Sequence, residues 1–334
     1  MEASTKSIRR RNLNMVRSAF QKSHKLTASQ LSKKTGLSVV TINALLKVMM
    51  SEGEVFESDK LITNGGRPSA EYRYNNLFMC SCIVYGFHTK GDDYVRVIVA
   101  DVFKSKVFEI ESVFDSIKIE SFNDMIDEAF HTFATIKSIT FGLPGEENDG
   151  SITINDYREI VGDAFIRHYK DRYNVPIYFV NDVNAATYGY YSQNIKELHD
   201  KNVVGLFFPK AYKPGAGLIM NGDIFRGSMN FAGEVGYMPI GIDWTTLDYN
   251  DEKSMIEAIA RLVSIICCVI APDHITLYGE FLHKSMEAEI MSEVSKYLSH
   301  AFSASLSISD EFSEHFELGL IEKAIQTLEE GHYN

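Results

Sequence analysis

The chain has 334 residues, of which 45% are apolar, and it carries a formal net charge of −12. This length suits two or three domains, and no apolar run reaches the roughly 18 residues of a membrane-spanning helix. The N-terminal residues lack the apolar core of a secretory signal, and the four cysteines have the spacing of neither a disulfide framework nor a zinc site. We therefore expect a cytoplasmic protein with no membrane partner.

The charge is divided unevenly along the chain. Residues 1–75 contain 13 Lys and Arg and 6 Asp and Glu, a net +7, whereas the rest contains 20 basic and 39 acidic residues, a net −19. A basic segment joined to an acidic body is expected if only the first segment contacts a phosphate backbone. A solvated basic surface beside an acidic one would give the same balance, so the motifs must decide between the two.

The first 53 residues have the pattern of a helix-turn-helix. An apolar face predicts a helix over residues 12–23, and Thr27 and Gln30 form a capping box that begins a short second helix. Gly36 suits the left-handed position that ends this helix, and Ser38 suits the N-cap of a third helix over residues 39–52. Two helices joined by a tight glycine turn are typical of a helix-turn-helix, whose second helix reads DNA.

The outward face of the third helix is expected to contact the bases of double-stranded DNA. Asparagine can pair with adenine, the methyl groups of threonine and alanine can meet thymine, and lysine can reach guanine or phosphate. The predicted DNA-binding residues of this helix and its cap are Ser38, Val40, Thr41, Asn43, Ala44 and Lys47.

Two further basic features favour DNA binding over an ordinary three-helix bundle, which would show similar helix spacing. Arg9, Arg10 and Arg11 form a basic arm or helix start that suits phosphate contacts. Residues 54–75 predict two short strands around a glycine-rich loop, and Arg67 in that loop is placed to enter a minor groove. A helix-turn-helix followed by such a loop is a winged helix-turn-helix.

Strands and helices alternate from about residue 78 onwards. β-branched and aromatic residues predict three successive strands over residues 80–89, 94–102 and 106–113. Further strands are expected at 138–145, 175–182, 202–209 and 274–280, a glycine-rich hairpin at 215–227, and helices at 122–135, 163–174, 183–193, 255–272 and 318–331. This alternation predicts layered α/β structure.

Four further segments have distinctive motifs: GGRP at 65–68, GLPG at 142–145, NDVNAATYG at 181–189 and a glycine-rich segment at 215–240. Together they resemble the ROK family of repressors, uncharacterised reading frames and sugar kinases. The resemblance implies an N-terminal winged helix-turn-helix followed by a two-lobed, actin-like (ribonuclease-H-like) ROK domain, assembled as a homodimer or tetramer. The expected boundaries are a DNA-binding domain at 1–75, a first lobe at 76–187 plus 318–334, and a second lobe at 188–317.

The same resemblance implies a sugar-like ligand in a cleft between the lobes. Asp182 matches the family's base, which accepts the proton of a sugar hydroxyl during phosphoryl transfer, and Glu234 matches a sugar-contacting glutamate. The expected ligand-binding residues are Pro144, Gly145, Asn155, Asn181, Asp182, Glu234 and Tyr237. Asn181 and Asp182 also suit the cap of the helix that follows them, so capping and sugar contact are both open.

The ATP and zinc motifs of the family's kinases are damaged in this chain. Residues 85–89, YGFHT, replace the first phosphate motif, and residues 211–215, AYKPG, replace the second, where Pro214 has no amide to donate to a phosphate. The adenosine turn has become residues 278–280, YGE, and Tyr237 replaces a histidine that binds zinc in the family. We therefore expect no ATP, cofactor, metal or catalysis, and Asp182 becomes a vestigial base position.

Three functions fit these features. The predicted one is a DNA-binding transcriptional regulator, a repressor of carbohydrate genes that responds to a sugar or sugar phosphate. A sugar kinase with an appended DNA-binding head is an alternative, but it must bind ATP despite three damaged motifs. A regulator that needs no ligand, and whose body only dimerises, is the other alternative, and the lost zinc motif favours it.

Overall fold

The computed structural model describes residues 2–61, 69–89, 92–154, 157–210, 212–298 and 304–333. Two predicted site residues, Arg67 in the expected wing loop and Asn155 in the expected ligand pocket, lie outside these ranges. Within them, no helix is both long enough and apolar enough to cross a membrane.

The N-terminal elements are three helices and a three-stranded antiparallel sheet. They follow one another as α1 Glu2–Lys22, β1 Lys25–Thr27, α2 Ala28–Thr35, α3 Val39–Ser51, β2 Val55–Leu61 and β3 Ser69–Tyr74. β3 lies between β1 and β2 in the sheet. The predicted first helix was too short, because α1 begins at Glu2 rather than near residue 12, so the three successive arginines lie within a helix and do not form an arm.

The predicted caps account for the ends of α2 and α3. The Thr27 side chain accepts a hydrogen bond from the Gln30 amide while the Gln30 side chain accepts one from the Thr27 amide, which is the predicted capping box. Gly36 ends α2 with φ at 75°, and the Ser38 side chain caps α3. The inward residues of the two helices are fully or almost fully buried, as their spacing predicts: Leu31, Ile42, Leu45, Leu46 and Met49.

The first lobe of the body is built on a five-stranded mixed sheet. Its strands are β4 Cys80–Thr89, β5 Asp92–Asp101, β6 Lys106–Phe114, β7 Ile136–Leu143 and β10 Ile177–Asn181, in the order β10-β7-β4-β5-β6. Helices α4 Asn123–Thr132 and α5 Ala164–Tyr173 cover one face of this sheet, and α10 Phe312–Tyr333 covers the other. A short hairpin, β8 Glu146–Asn148 and β9 Ser151–Ile154, was not predicted and follows β7.

The second lobe is built on another five-stranded sheet. Its strands are β11 Val203–Phe207, β12 Gly215–Met220, β13 Asp223–Ile224, β14 His274–Tyr278 and β15 Ser305–Ile308, in the order β13-β12-β11-β14-β15. Helices α8 Glu252–Ile270 and α9 Met286–Val294 pack on one face, and α6 Asp182–Gln193, which leads into the short α7 Ile195–Leu198, packs on the other. β15 corrects the expectation that only helices follow β14.

Helices α6 and α10 lie between the two sheets and cross at glycines. A Cβ placed on Gly189 would lie 1.9 Å from the carbonyl oxygen of His315, and one on Gly319 would lie 1.8 Å from that of Ala185. The two backbones are therefore in direct contact, as small residues at a crossing allow. Because α10 also packs on β4 and β7, it is the element that joins the two lobes.

The N-terminal elements dock on the body through an aromatic and apolar contact. The rings of His24 and Tyr74 lie 4.3 Å and 5.5 Å from the ring of Phe103, measured between centroids, and Phe103 belongs to the turn after β5. Gln21 Nε2 donates a 2.9 Å hydrogen bond to Glu329 near the end of α10. One hydrophobic cluster extends from the N-terminal helices to α10. A displacement of α10 would therefore be transmitted to α1 through these packed side chains.

Candidate functional site

The exposed face of α3 carries the predicted base-contacting side chains. Val40 is 81% exposed, and Asn43, Ala44 and Lys47 are also exposed, on the side of the helix opposite its buried residues. The other two predicted residues, Ser38 and Thr41, hydrogen-bond to each other. Ser38 Oγ accepts the Thr41 N–H at 3.1 Å and lies 2.9 Å from Thr41 Oγ1. Their hydroxyls hold the start of α3, which leaves the next two turns to contact a ligand.

A basic groove of about 1190 Å³ opens between α1 and α2. Arg10, Arg11, Lys22 and Lys34 line it, together with small and polar side chains of both helices. The neighbouring Arg9 is exposed but does not line it. Lys22 and Lys34 were not predicted: Lys22 lies about three turns after the arginines on α1 itself, and the packing of α2 against α1 brings Lys34 beside them. Four cations around one open groove suit an anionic polymer.

A buried ion pair fixes α1 against the adjoining strands. Glu54 is fully buried, and its carboxylate accepts hydrogen bonds from Arg17 Nε at 2.5 Å and Arg17 Nη2 at 3.0 Å. The Tyr74 hydroxyl donates a third, at 2.6 Å. A buried carboxylate with three donors is well satisfied. It therefore holds the basic groove of α1 in a fixed position relative to β2 and β3.

In the body, the predicted ligand residues gather where β7 and β10 end. Asn181 Oδ1 accepts the Asn184 N–H at 3.0 Å, and Asn181 Nδ2 donates to the Gly145 carbonyl at 3.1 Å. Asn181 thus caps α6 and ties down the turn formed by Pro144 and Gly145. Asp182, at the first position of α6, is half-buried, and its Oδ1 accepts the Val183 N–H at 2.9 Å, so both side chains hold the start of α6 as their sequence position predicts.

Three carboxyl groups from separate elements share this region. Glu146 follows the Pro144–Gly145 turn and is 8% exposed. The carboxyl groups of Glu234, in the second lobe, and Asp182 lie near enough to act on it electrostatically. Burial first, and then the charge of Glu234, raises the pKa of Glu146 to about 8, with Asp182 adding to the effect and Arg226 opposing it. Burial also raises the pKa of Glu234, against the influence of Lys213. At neutral pH, Glu146 therefore keeps its proton.

Glu146 is the site residue that the sequence did not reveal. Glutamate is normally exposed, and no motif marked this position, although it directly follows the recognised GLPG turn. The hairpin β8–β9 buries it, and the second lobe completes its surroundings: Asn230 Nδ2 donates to the Glu147 carbonyl at 2.5 Å, which joins the loop before Glu234 to β8.

Tyr237 stands at the rim of the same region. It is 56% exposed, Lys213 Nζ lies 3.8 Å from the centroid of its ring, and the ring of Phe231 lies 6.3 Å away. Behind it, Gly236 fits closely against the segment that replaces the second phosphate motif, since a Cβ there would lie 2.8 Å from the Pro214 carbonyl oxygen. An aromatic rim beside carboxyl groups is a common lining for a small polar ligand.

The segment that replaces the first phosphate motif is a continuous strand. β4 stays paired with β5 from Cys80 to Thr89. Tyr85 is 3% exposed, and its hydroxyl donates a 2.5 Å hydrogen bond to Glu317 Oε2 of α10 and accepts one of 3.1 Å from Arg96 Nη1. Burial raises the pKa of the Tyr85 hydroxyl. The Tyr85 side chain and its two charged partners thus occupy the middle of β4, where the replaced motif begins.

Comparisons with known proteins agree with this architecture. Residues 110–254 match the sequence model of the ROK family. The xylose repressor of Bacillus subtilis (strain 168) is 25% identical over 258 residues, which are 74% of this chain and 63% of that protein, so the chain spans less than two thirds of that relative's length.

Solved structures share the fold, among them a regulator and a kinase. A ROK family transcriptional regulator, a homologue of the E. coli MLC protein, superposes with a TM-score of 0.66 at 16% identity, covering 95% of this chain and 96% of that chain. A ROK hexokinase from Thermus thermophilus superposes with a TM-score of 0.59 at 15% identity, covering 75% of this chain and 100% of that chain. The regulator therefore matches nearly the whole chain, and the hexokinase matches about three quarters of it.

Proposed function

We propose that this chain, whose residues 110–254 match the sequence model of the ROK family, is a DNA-binding transcriptional repressor of carbohydrate genes, gated by a sugar bound between its lobes. The observation that carries the proposal is the exposed face of α3, in a basic module docked on the body through a shared apolar cluster. The similarity to a xylose repressor supports both repression and a sugar effector. Such a protein acts in the cytoplasm, where the chromosome lies.

We assign the N-terminal module as a winged helix-turn-helix over residues 1–75. Two observations support this assignment. The elements follow in the order helix, strand, two helices and two further strands, and the turn between α2 and α3 is capped at both sides. The first lobe spans residues 76–187 and the second spans 188–317, with the C-terminal residues 318–334 returning to the first lobe. The start of α10 at Phe312 extends that returning segment by six residues.

In this function α3 enters the major groove and the groove between α1 and α2 follows the phosphate backbone. Asn43, Ala44 and Lys47 contact base edges, while Arg11 and Lys34 supply charge that is independent of sequence. Arg67, in the loop outside the described residues, is the predicted minor-groove contact. A symmetric homodimer or tetramer would place two α3 helices on half-sites separated by whole turns of DNA.

A kinase activity is disfavoured by what occupies the phosphate positions. Phosphate loops work through glycine-rich backbone whose amides approach the ligand, whereas β4 continues as a paired strand and Tyr85 is bound to Glu317 and Arg96. Pro214 packs against Gly236 and offers no amide. We therefore assign no enzymatic activity to the chain, and Asp182 serves binding only.

Helix α10 provides the route by which a ligand could alter DNA affinity. It crosses α6 at Gly319, between the two sheets, and near its far end Glu329 accepts a hydrogen bond from Gln21 of α1. A ligand that prefers one lobe arrangement shifts the population of that arrangement, and the head spacing in the dimer changes with it.

The decisive experiment is selection of fragmented genomic DNA on the purified full-length protein, with sequencing of the bound fragments. We expect enrichment of a two-fold symmetric site near carbohydrate genes. Failure to enrich any site at moderate salt, with or without a panel of sugars, refutes the proposal. A coupled assay for ADP release with the same sugars tests the kinase alternative, which requires turnover.

Variants of the head separate base reading from phosphate contact. Asn43→Ala should weaken binding to the selected site by about 1–3 kcal/mol and relax its sequence preference at one position. Arg11→Ala should weaken binding to all sequences about equally and lower the salt slope by about one. Lys253→Ala, an exposed change on α8, is the control. Equal effects of the first two variants on specific and random DNA would contradict the assigned roles.

A further inference from the structure

Helix α10 buries a lysine between the two lobes. Lys323 is 4% exposed, and its Nζ donates hydrogen bonds to Asp223 Oδ1 of β13 at 2.6 Å and to Gln326 Oε1 at 2.8 Å. The same Nζ lies 4.9 Å from the centroid of the Tyr188 ring of α6. Lysine is almost never fully buried unless it is paired. The side chain is therefore held by β13, by α6 and by its own helix.

Stability does not account for this ion pair. Taking charges out of water costs free energy that offsets their attraction, so an apolar side chain of similar size usually stabilises a buried position as well. Methionine could fill the space of the Lys323 stem, and the Asp223 side chain, which is 54% exposed, would then remain solvated. What methionine could not supply is a directional bond between α10 and β13, which fixes the position of one element relative to the other.

The ion pairs of α10 reach both lobes. Glu317 Oε1 lies 2.8 Å from Lys106 Nζ of β6, in the first lobe. Further along the same helix, Lys323 pairs with Asp223 of the second lobe. A change in the arrangement of the lobes must therefore either break the bond between Lys323 and Asp223 or move α10.

The hairpin that bears Asp223 is fixed to the segment that bears Glu234, a predicted ligand residue. β12 pairs with β13, and Ala216 N of β12 donates a 2.8 Å hydrogen bond to the Gly233 carbonyl. A Cβ on Gly233 would lie 2.1 Å from the Ala216 carbonyl oxygen, so the two backbones are in direct contact. A displacement of the segment around Glu234 therefore displaces the hairpin and Asp223 with it.

Beyond Lys323, α10 continues to the head. Glu329, less than two turns further on, accepts the 2.9 Å hydrogen bond from Gln21 Nε2 of α1. Leu328 belongs to the hydrophobic cluster that α10 shares with the N-terminal helices. Contiguous contacts thus lead from the second lobe, through Asp223 and Lys323, to α1.

We propose that Lys323 is a positioning residue whose bond to Asp223 ties the second lobe to α10 and thereby fixes the DNA-binding head relative to the body. This rests on the proposed function, since it names the contact by which the body controls that head. In a symmetric dimer, both α3 helices must be held at the spacing of the two half-sites. Without the bond each head samples more positions, and ordering both heads on a two-part site then costs more conformational entropy.

The test compares full-length variants on two DNA duplexes, the selected symmetric site and a single half-site of it. Lys323→Met keeps an apolar stem in the buried position, and Asp223→Asn breaks the same bond from the other side. Each should weaken binding to the symmetric site by about tenfold and leave binding to the half-site unchanged. The double variant should bind no more weakly than either single variant, because both remove one contact. Lys106→Gln, which breaks an ion pair between α10 and the first lobe, is the matched control and should bind both duplexes as wild type does.

Hydrogen–deuterium exchange measures the same coupling without DNA. Position 323 lies in the body, so faster exchange of α1 amides reports transmission to the head. We expect the amides of α1 and of the last turns of α10 to exchange about tenfold faster in Lys323→Met than in wild type. Lys106→Gln should exchange as wild type does. Protection of β14 should be the same in all variants, because the core of the second lobe stays folded.

Each outcome decides the proposal. Unchanged exchange in α1 of Lys323→Met overturns it, as does unchanged binding to the symmetric site or an equal effect of Lys106→Gln. Equal weakening on the symmetric site and the half-site also overturns it, because that result indicates a general loss of folded protein. If Asp223→Asn fails to fold, Lys323→Met carries the test. Absence of DNA binding by wild type refutes the regulator itself, and the exchange experiment still decides whether Lys323 couples the body to the head.

Discussion

Replacing Glu146 by glutamine should stabilise the ligand-free protein at alkaline pH. The folded protein holds a proton on Glu146 up to a pKa of about 8, whereas the unfolded chain releases it near 4.5. Because the folded state binds more protons between these values, the unfolding free energy falls as pH rises through this window. Glutamine has nearly the same shape and stays neutral throughout, so the variant should not show that fall.

The size of the effect follows from the two pKa values. They differ by about 3.5, and one pKa unit corresponds to about 1.4 kcal/mol, so wild type should lose about 5 kcal/mol relative to the variant between pH 4 and pH 9. About 3 kcal/mol of this loss should already have occurred at pH 7, because pH 7 lies about 2.5 units above the pKa of glutamate in the unfolded chain. Glu146 as a residue is 8% exposed, and the remaining contact of its carboxyl group with solvent makes these values upper limits.

Urea denaturation at half-unit steps from pH 4 to pH 9 measures the difference. The two proteins should be about equally stable at pH 4, where both side chains are neutral, and should diverge above pH 5. Glu159→Gln, on the surface, should follow wild type. Parallel curves for wild type and Glu146→Gln at all pH values would show that Glu146 ionises normally and would refute the account of its surroundings.

Three further substitutions test the packing that supports the site. Glu54→Gln leaves Arg17 buried without a carboxylate, so the unfolding free energy should fall by about 3–5 kcal/mol. Urea denaturation measures this loss, and hydrogen exchange in α1 locates it; an unchanged urea midpoint would mean that the ion pair is dispensable. Gly319→Ala places a methyl group 1.8 Å from the Ala185 carbonyl oxygen, and the required separation of α6 and α10 should lower stability by at least about 1–3 kcal/mol in thermal unfolding. An unshifted melting temperature would contradict direct backbone contact. Ser38→Ala removes the α3 cap and should destabilise the head by about 1 kcal/mol by the same method, whereas Ser38→Asp, which can also cap, should not.

Local features of the sequence determined the N-terminal module and many individual elements. The capping box at Thr27 and Gln30, the left-handed Gly36 and the cap at Ser38 act within a few residues, so they specify the ends of α2 and α3 wherever the rest of the chain lies. The β-branched and aromatic residues of 80–89 likewise predicted β4, which the structure places at Cys80–Thr89. The first ten residues contain no periodic apolar face, and for that reason the early start of α1 could not be predicted.

Tertiary structure alone decided the chemistry of the cleft and its connection to the head. Glutamate after a glycine turn looks like an ordinary surface residue, and Glu146 becomes a neutral acid only because β8–β9 buries it and Glu234, from the other lobe, comes near. Lys34 of α2 forms one groove with the α1 arginines and Lys22 only through helix packing. Burial and the electrostatic field depend on residues far apart in the chain, so they arise from the folded arrangement and not from any local pattern.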